Sequence, residues 1–495
     1  MSTDAAIRDY LATGALPALP ADHFIAGAWA APTANARMET FDPGLGKPFH
    51  EFAAGNEEDV DRAVMSADGA QDGWGRTKAG ARGAILMRAA ALLREEAARF
   101  AFVESLDSGK PLQEAEGDVA GAARAFEYYA GAADKIEGDT FPIGDAYLGY
   151  SHPEPVGVTA HIIPWNFPIS TAARGIAPAL AAGCTVVAKP AETTPLTMLM
   201  LGDLLHRAGL PEGVCNVVTG TGPAAGAPLV AHPRVRHITF TGSVPTGQGV
   251  MQAASRNVAS VILELGGKSP LIVLKDADLD AAADGVIGAI YENAGQVCSA
   301  GSRLIVERAA HDALLDKVIA RVKALKIGHG LRRSTLGPLN SEPHLQRVAA
   351  KVAAAKARGL SPVIGGAAAV DPETGAGWFF EPTIFDDVAL DDLVVQDEIF
   401  GPVLAVQIAE DVEDAARLAN GTDYALVAGI YTRDFAAAHR LARDVDAGQV
   451  YINEYFAGGI EVPFGGNRQS GFGREKGLAA VHNYLRVKSV AAKIG

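Results

Sequence analysis

Cysteine is scarce in this chain: Cys184, Cys215 and Cys298 are the only three in 495 residues, with no C-x-x-C spacing. So sparse and odd a set suggests neither a disulfide framework nor a zinc site, and it fits a reducing compartment. Long hydrophobic runs are missing too. The longest, residues 176–188, is broken by Pro178 and Gly183 and is shorter than the ~20 residues a membrane span needs. The N-terminus has no basic segment leading into an apolar core, so no secretory leader is read. A cytoplasmic protein is expected. Basic residues are in deficit, 43 Lys and Arg against 58 Asp and Glu for a net charge of −15. That balance, with no Lys/Arg cluster, argues against a nucleic-acid surface and leaves small molecules or other copies of the chain as partners. Neither internal repeats nor low-complexity blocks occur. What is present is an ordinary enzyme composition, 48% hydrophobic and 20% charged, in a chain long enough for more than one domain.

In chain order, residues 1–56 read as an irregular arm with short strands. A helical region follows, with Ile85/Leu86, Ala89 and Leu92/Leu93 at helical spacing and Ser108-Gly109-Lys110-Pro111 as its stop. Residues 138–155 read as a hairpin leaving the domain. From 155 to 264, strand-like runs at 157–163, 185–189, 215–219, 237–241 and 260–264 alternate with helical stretches at 168–181, 196–207, 223–230 and 244–254. Alternation at that spacing demands parallel crossovers, hence an open doubly wound sheet, whose ligands bind at the carboxyl ends of the strands. A second α/β unit begins at 271–274. It carries a helix with Leu315, Val318, Ile319, Val322 and Leu325 on one face, a further helix at 412–420 and a strand near 448–453. The tail, 484–493, alternates as an exposed edge strand would, and such an edge is expected to pair with another subunit.

The chemistry gathers around Tyr291-Glu292-Asn293-Ala294-Gly295-Gln296-Val297-Cys298-Ser299. A thiol that attacks a carbonyl must be deprotonated, exposed and flanked by donors for the oxyanion it creates. From a free-cysteine pKa near ~8.5, only a few per cent is thiolate at neutral pH, a handicap of roughly 2 kcal/mol. A glycine-containing turn at a helix entry removes part of it, because unpaired backbone N–H groups favour the anion. Alone, a single cysteine is more often a buried small hydrophobe. Other segments join it. Pro164-Trp165-Asn166-Phe167-Pro168 ends the first strand and opens a helix. Leu263-Glu264-Leu265-Gly266-Gly267-Lys268 puts a carboxyl at the end of the fifth strand. Phe240-Thr241-Gly242-Ser243-Val244-Pro245-Thr246-Gly247 is a glycine turn between strand and helix. Glu398-Ile399-Phe400-Gly401-Pro402 and Pro463-Phe464-Gly465-Gly466 lie in the second half.

Together these segments resemble the aldehyde dehydrogenase superfamily over nearly the whole chain, from about residue 20 to 490. The Glu-Leu-Gly-Gly-Lys and Asn-x-Gly-Gln-x-Cys pair, 34 residues apart, is highly specific to it. The resemblance implies an α/β fold: a doubly wound parallel-sheet NAD-binding domain (1–135 and 156–262), a second α/β catalytic domain (263–462) and a small β oligomerisation extension (136–155 and 478–495). A homodimer or homotetramer through the C-terminal edge strand and the 136–155 hairpin follows from it. So does the chemistry. Cys298 would attack an aldehyde to give a thiohemiacetal, and the Asn166 amide and the Cys298 backbone N–H would hold the oxyanion. Hydride transfer to the nicotinamide would leave a thioester, and Glu264 would activate the water that hydrolyses it and help deprotonate the thiol. A carboxylate at 264 favours hydrolysis to the free acid over transfer to coenzyme A. The plainer readings are a strand-end carboxylate for Glu264 and a helix cap for Asn166.

For the cofactor, Gly242-Ser243 opens a helix whose N-terminal amides suit a phosphate. This is not G-x-G-x-x-G, since Gly242 and Gly247 stand five apart. Gly220-Thr221-Gly222 also fails the spacing and reads as a turn. Gly222 nevertheless stays among the cofactor positions the resemblance implies, with Ile163, Pro164, Trp165, Phe240 and Leu265. Lys189 and Glu192 match the family's contacts to the adenosine ribose. A carboxylate there repels a 2′-phosphate, so NAD is preferred over NADP; otherwise Lys189 is a solvated strand end. Glu398 matches the ligand of the nicotinamide ribose and Phe400 packs beside the ring. Trp165 walls the cofactor groove or is simply core. Val244, where many relatives carry Thr, is expected to matter little. No metal is expected.

The substrate is harder to read. Phe167, Thr171 and Arg174 share a helix face, which in the family lines the aldehyde tunnel. Succinate-semialdehyde enzymes carry Arg at the position of Arg174, where it would clamp a substrate carboxylate. Those enzymes also carry Arg six residues before the cysteine, where this chain has Glu292. Two readings stay open: the clamp, or an Arg174–Glu292 pair that leaves a neutral polar tunnel. Val297, Ser299, Tyr455, Phe456 and Phe464 complete the expected pocket. A catalytically silent NAD-binding homologue and a thiol esterase are the alternatives. The presence of Cys298, Glu264 and Asn166 counts against the first; the glycine turn and Glu192 count against the second.

Overall fold

The computed structural model describes residues 3–495, and the alternation from 157 to 264 there builds the heart of an eight-stranded sheet. Its strands are β1 (Val158–Ile162), β2 (Thr185–Lys189), β3 (Cys215–Val217), β4 (Val235–Thr241) and β5 (Ser260–Glu264), all parallel, in the order β3-β2-β1-β4-β5. β2 is buried at all five positions, because helices cover both faces of a parallel sheet and leave no solvent side to alternate against. The helices α1 (Pro168–Ala182), α2 (Leu196–Arg207) and α3 (Val244–Ser255) make the crossovers. Winding goes outward from β1 to β3, then returns to β4. That reversal opens a crevice at the carboxyl ends of β1 and β4, where Pro164–Asn166 and Gly242 lie.

Three antiparallel strands finish this sheet. His23–Ile25 and Ala28–Ala30 lie beyond β3, and Gly471–Phe472 pairs with the end of β5, Gly471 opposite Glu264. This last pairing draws the segment around 463–476 over the Glu264 end of the sheet.

Two early expectations need correcting. Residues 1–56 are not only an arm with short strands, since Thr3–Thr13 is a helix seated on Ala6, Ile7 and Tyr10. The helical region does not stop at 108–111. Gly109 takes a left-handed φ of 87° to cap Ala97–Ser108, and Leu112–Ala132 starts directly after Pro111. Proline ahead of a first turn opens a helix as readily as it closes one, since the missing N–H is not needed there.

The second unit is a seven-stranded sheet of β6 (Pro270–Val273), β7 (Arg303–Glu307), β8 (Thr383–Phe385), β9 (Val403–Ala409), β10 (Val427–Tyr431) and β11 (Gln449–Ile452), with antiparallel Pro362–Ile364 at one edge. Helix α4 (Leu279–Tyr291) packs on the helix His311–Val322. The latter buries Leu314, Val318 and Val322, with Leu315, Ile319 and Leu325 flanking them. Helix α5 (Glu342–Ala357) follows.

The tail strand Leu485–Lys493 pairs along its whole length with Tyr147–Pro155 of the same chain, and with Thr140–Phe141 they form a three-stranded sheet. The tail is thus an edge strand: one side pairs within its own chain and the other ends the sheet. Among the described residues no helix is long and apolar enough to cross a membrane, and no cluster of His, Cys, Asp or Glu has metal-site geometry.

Candidate active site

Helix α4 ends at Tyr291 and the chain then bends sharply. Asn293, Ala294 and Gly295 take φ of 47°, 53° and 74° in succession. Left-handed backbone costs non-glycine residues of order 1–3 kcal/mol each and persists only when the surroundings over-determine it. They do so here. Asn293 donates its backbone N–H to Glu114 Oε2 (2.9 Å) and its side-chain amide to the Asn166 carbonyl (3.0 Å). Gln296 donates through Nε2 to the Asn293 carbonyl (2.8 Å) and accepts at Oε1 from the Asn340 N–H (2.8 Å). A Cβ on Gly295 would run into the Gly401 carbonyl. The Asn, Gly and Gln of the motif thus build the bend that presents Cys298.

Asn166, 6% exposed, donates Nδ2 to the Gln296 carbonyl at 2.9 Å, so the amide and the cysteine loop are tied directly. Asn166 and Cys298 both line a cavity of about 200 Å³. Gly267 packs against the Cys298 carbonyl, where a Cβ would collide. Cys184 and Cys215 are buried and Cys298 is partly exposed. Burial still pushes the Cys298 thiol up to about 12, the Arg174 guanidinium pulling the other way.

Glu264 is 1% exposed at the end of β5, and neither carboxyl oxygen has a hydrogen-bond partner among the described residues. Strand-end bonding to neighbouring backbone is therefore not what its side chain does. It lies against Gly465, whose Cβ would come within 2.7 Å of Oε1, and it is not among the residues that line the cavity. Burial, reinforced by Glu475, raises its pKa well above the usual carboxylate range.

Arg174 does not pair with Glu292. Its guanidinium forms a 2.8 Å ion pair with Glu475 and lies 5.3 Å over the Phe464 ring. The β5 pairing of Gly471–Phe472 brings Glu475 here, an arrangement no local pattern reveals. Glu292 instead faces the cavity beside Asp118. Burial first, then the Asp118 charge, lifts its pKa to about 7. Asp118 is ion-paired with Lys110, whose ammonium lies 4.1 Å over the Phe167 ring.

Phe167, Thr171, Val297, Ser299, Phe456 and Phe464 line the cavity; Tyr455 does not. Its hydroxyl donates to the Ser299 carbonyl at 2.8 Å from behind, and Tyr451 takes the place on the wall. Sequence reading missed Asp118, Ser170, Thr241, Tyr451 and Lys476 as lining residues. Ser170 sits one turn from Phe167 on α1 and was findable; Asp118, on the remote helix Leu112–Ala132, left no local signal.

Around the crevice, Gly242 lies where a Cβ would sit 2.6 Å from the Phe240 ring, and its N–H donates to the Glu264 carbonyl (3.0 Å). Ser243 takes the N-cap conformation of α3, and Leu265 packs where a Cβ on Gly247 would fall. Lys189 is buried and ion-paired with Glu192 at 3.1 Å. The turn Gly222–Gly226 abuts it, Gly226 lying 3.8 Å from the Lys189 side chain when given a Cβ. The Ile163 N–H donates to the Lys189 carbonyl and Pro164 is buried. Glu398 Oε1 accepts the Gly267 N–H at 2.9 Å, and burial raises this carboxyl to about 7. Trp165 is edge-on to Phe400 at 5.2 Å.

Three comparisons bear on this geometry. The profile of the Aldehyde dehydrogenase family matches residues 29–490. A hydroxyisobutyraldehyde dehydrogenase of Mycolicibacterium austroafricanum is 42% identical over 478 residues, 96% of this chain and 94% of that protein. Among solved structures, the indole-3-acetaldehyde dehydrogenase AldA of P. syringae, a mutant in complex with NAD+ and IAA, superposes with a TM-score of 0.96 at 38% identity, covering 100% of both chains. The aldehyde dehydrogenase KauB of Pseudomonas aeruginosa gives 0.95 at 38% identity over 99% of both. On these matches the chain belongs to the aldehyde dehydrogenase family.

Proposed function

We propose that this enzyme oxidises a small aldehyde to its carboxylic acid with NAD, through Cys298, Asn166 and Glu264. The observation that carries the reading is the junction of Asn166 with the Cys298 loop on one cavity. The residues fit a dinucleotide. Gly242 and Ser243 open a twelve-residue helix suited to a phosphate. Glu192 and Glu398 offer carboxylates to ribose hydroxyls, and the Thr241 hydroxyl is buried without a partner among the described residues. Two indole-3-acetaldehyde dehydrogenases of this fold were solved with NAD+. Glu192 supports NAD over NADP.

Cys298 gives its proton to solvent, its Sγ bonds to the carbonyl carbon, and the carbonyl electron pair moves to oxygen, where the Asn166 amide and the Cys298 N–H donate. The dinucleotide, when bound, supplies acceptance of the hydride from that carbon, which leaves a thioester on Cys298. Glu264, once ionised, takes a proton from water as the water oxygen bonds to the acyl carbon and the C–S bond breaks. Its raised pKa means that it must first lose a proton, so hydrolysis quickens with pH.

Arg174 is engaged by Glu475, which argues against the carboxylate clamp, while Glu292 on the wall, with no ion-pair partner among the described residues, offers a carboxyl to a hydrogen-bond donor. We read the substrate as a short aldehyde whose tail donates, through a hydroxyl or an ammonium; the relative named for hydroxyisobutyraldehyde supports the size. The unit 1–135 with 156–262 would hold the cofactor, 263–462 the nucleophile, and 136–155 with 478–495 the contact to a second copy in a dimer or tetramer. Sparse cysteine suits the cytoplasm.

The test is NADH formation from butanal, 3-hydroxypropanal, 3-aminopropanal and succinic semialdehyde. Donor tails should give the highest kcat/KM. A preference for succinic semialdehyde that Arg174→Ala abolishes would restore the clamp, and no NADH from any aldehyde would leave the silent homologue or the esterase.

A further inference from the structure

Phe400 holds φ at 59°, a left-handed conformation that a bulky side chain adopts only under constraint. Its neighbour Glu398 is the carboxylate read above as the ligand of the nicotinamide ribose. Two side chains of α5 hold this turn. His344 donates from Nε2 to the Phe400 carbonyl at 2.7 Å, and Lys351 donates from Nζ to the Glu398 carbonyl at 2.6 Å. The His344 tautomer is set by its surroundings. Arg347 approaches Nδ1 at 3.4 Å as a donor, which leaves the proton on Nε2, and burial keeps the ring neutral by pushing its pKa down to about 4.

The rings of His344, Trp165 and Phe400 meet edge to face, at 5.1 Å, 5.2 Å and 5.9 Å between centroids. Trp165 adjoins Asn166, so one aromatic cluster joins α5, the Glu398–Phe400 turn and the oxyanion loop. From the opposite side Gly267 donates to the Glu398 carboxylate, which lies flush on Gly266. The carboxylate is thus fixed at its oxygen by one element and at its backbone by another. Removing either backbone hold would let a strained turn relax toward the right-handed region and carry the carboxylate off its position.

We propose that His344 and Lys351 are positioning residues that hold the Glu398–Phe400 turn in register with the cofactor, so that α5 sets affinity for the dinucleotide and not for the aldehyde. The inference rests on the reading of Glu398 as a dinucleotide ligand.

The test measures NAD binding by calorimetry without aldehyde, beside KM for NAD, KM for the aldehyde and the melting temperature. His344→Ala should weaken NAD binding about fivefold, as loss of one neutral hydrogen bond does, and raise KM for NAD in parallel. It should leave KM for the aldehyde unchanged. His344→Gln, which keeps an N–H donor, should recover most of the loss. Lys351→Met, at a side chain 35% exposed, probes the same hold should His344→Ala fail to fold. Unchanged NAD affinity in both folded variants, equal loss in both KM values, or no rescue by Gln would each overturn the proposal. Wild-type protein that binds no NAD would instead overturn the dinucleotide reading on which it rests.

Discussion

Cys298 keeps its proton at neutral pH because burial outweighs the pull of Arg174. Its thiolate fraction, and with it alkylation by iodoacetamide, should therefore climb about tenfold per pH unit between roughly pH 7 and 9. Arg174→Met removes the nearby positive charge and should slow alkylation by ~10-fold at fixed pH; an unchanged rate would mean that the guanidinium serves only Glu475. Glu264→Gln should spare the burst of NADH while cutting steady-state turnover by about 10²-fold. It should also remove the rise of kcat with pH that ionisation of Glu264 produces. Equal loss of burst and turnover would contradict a role confined to water. Cys298, Asn166 and Glu264 stand out in the sequence as candidates because each carries a distinctive residue type inside a tight motif. Glu475 and Asp118 do not, since ion pairs between remote elements leave no periodicity to read.

At the level of elements, β2, β5 and α2 run over the very residues the pattern delimited. Burial on both sheet faces forces continuous apolar strands, and an amphipathic helix announces its period. The helix Thr3–Thr13 was invisible because three buried residues in eleven make a weak stripe. Leu112–Ala132 was obscured by the proline and glycine just ahead of it. The bend at 293–295 was legible only as a motif, its left-handed geometry following from contacts more than a hundred residues away. Gly295→Ala should therefore cost at least ~2 kcal/mol in a thermal or urea melt, from strain and from collision with the Gly401 carbonyl. Gly288, a helix residue where an added Cβ would meet nothing within 4 Å, is the control, and its Ala variant should be neutral or slightly stabilising.

Across the whole molecule, burial is the chief cause that lifts Glu104, Glu292 and Glu398 to about 7 and Asp107 and Glu114 to about 8. Each remains protonated in the fold over a range where the unfolded chain has released its proton. Their contribution is complete below the unfolded pKa near ~4 and is lost as pH rises through the folded values. Stability should thus decline from about pH 5 to pH 8, and Glu104→Gln should flatten the curve in a melting series. A melting temperature that rises steadily over that interval would contradict it. The outer edge of Leu485–Lys493, with Val487 69% exposed, is where assembly should be read by light scattering, and a charge at Val487 should shift the protein toward smaller species.

The pairing of Gly471–Phe472 with β5 has a further consequence. The far wall of the pocket, from Phe464 to Lys476, is translated well over a hundred residues after the cysteine it encloses. On the ribosome the sulfur therefore emerges into an unfinished chamber, open to oxidants and stray electrophiles until residues 464–476 have been made and have folded back over it. Competence for turnover is acquired late and at once, so a nascent or prematurely ended chain would carry the nucleophile without the enclosure that disciplines it.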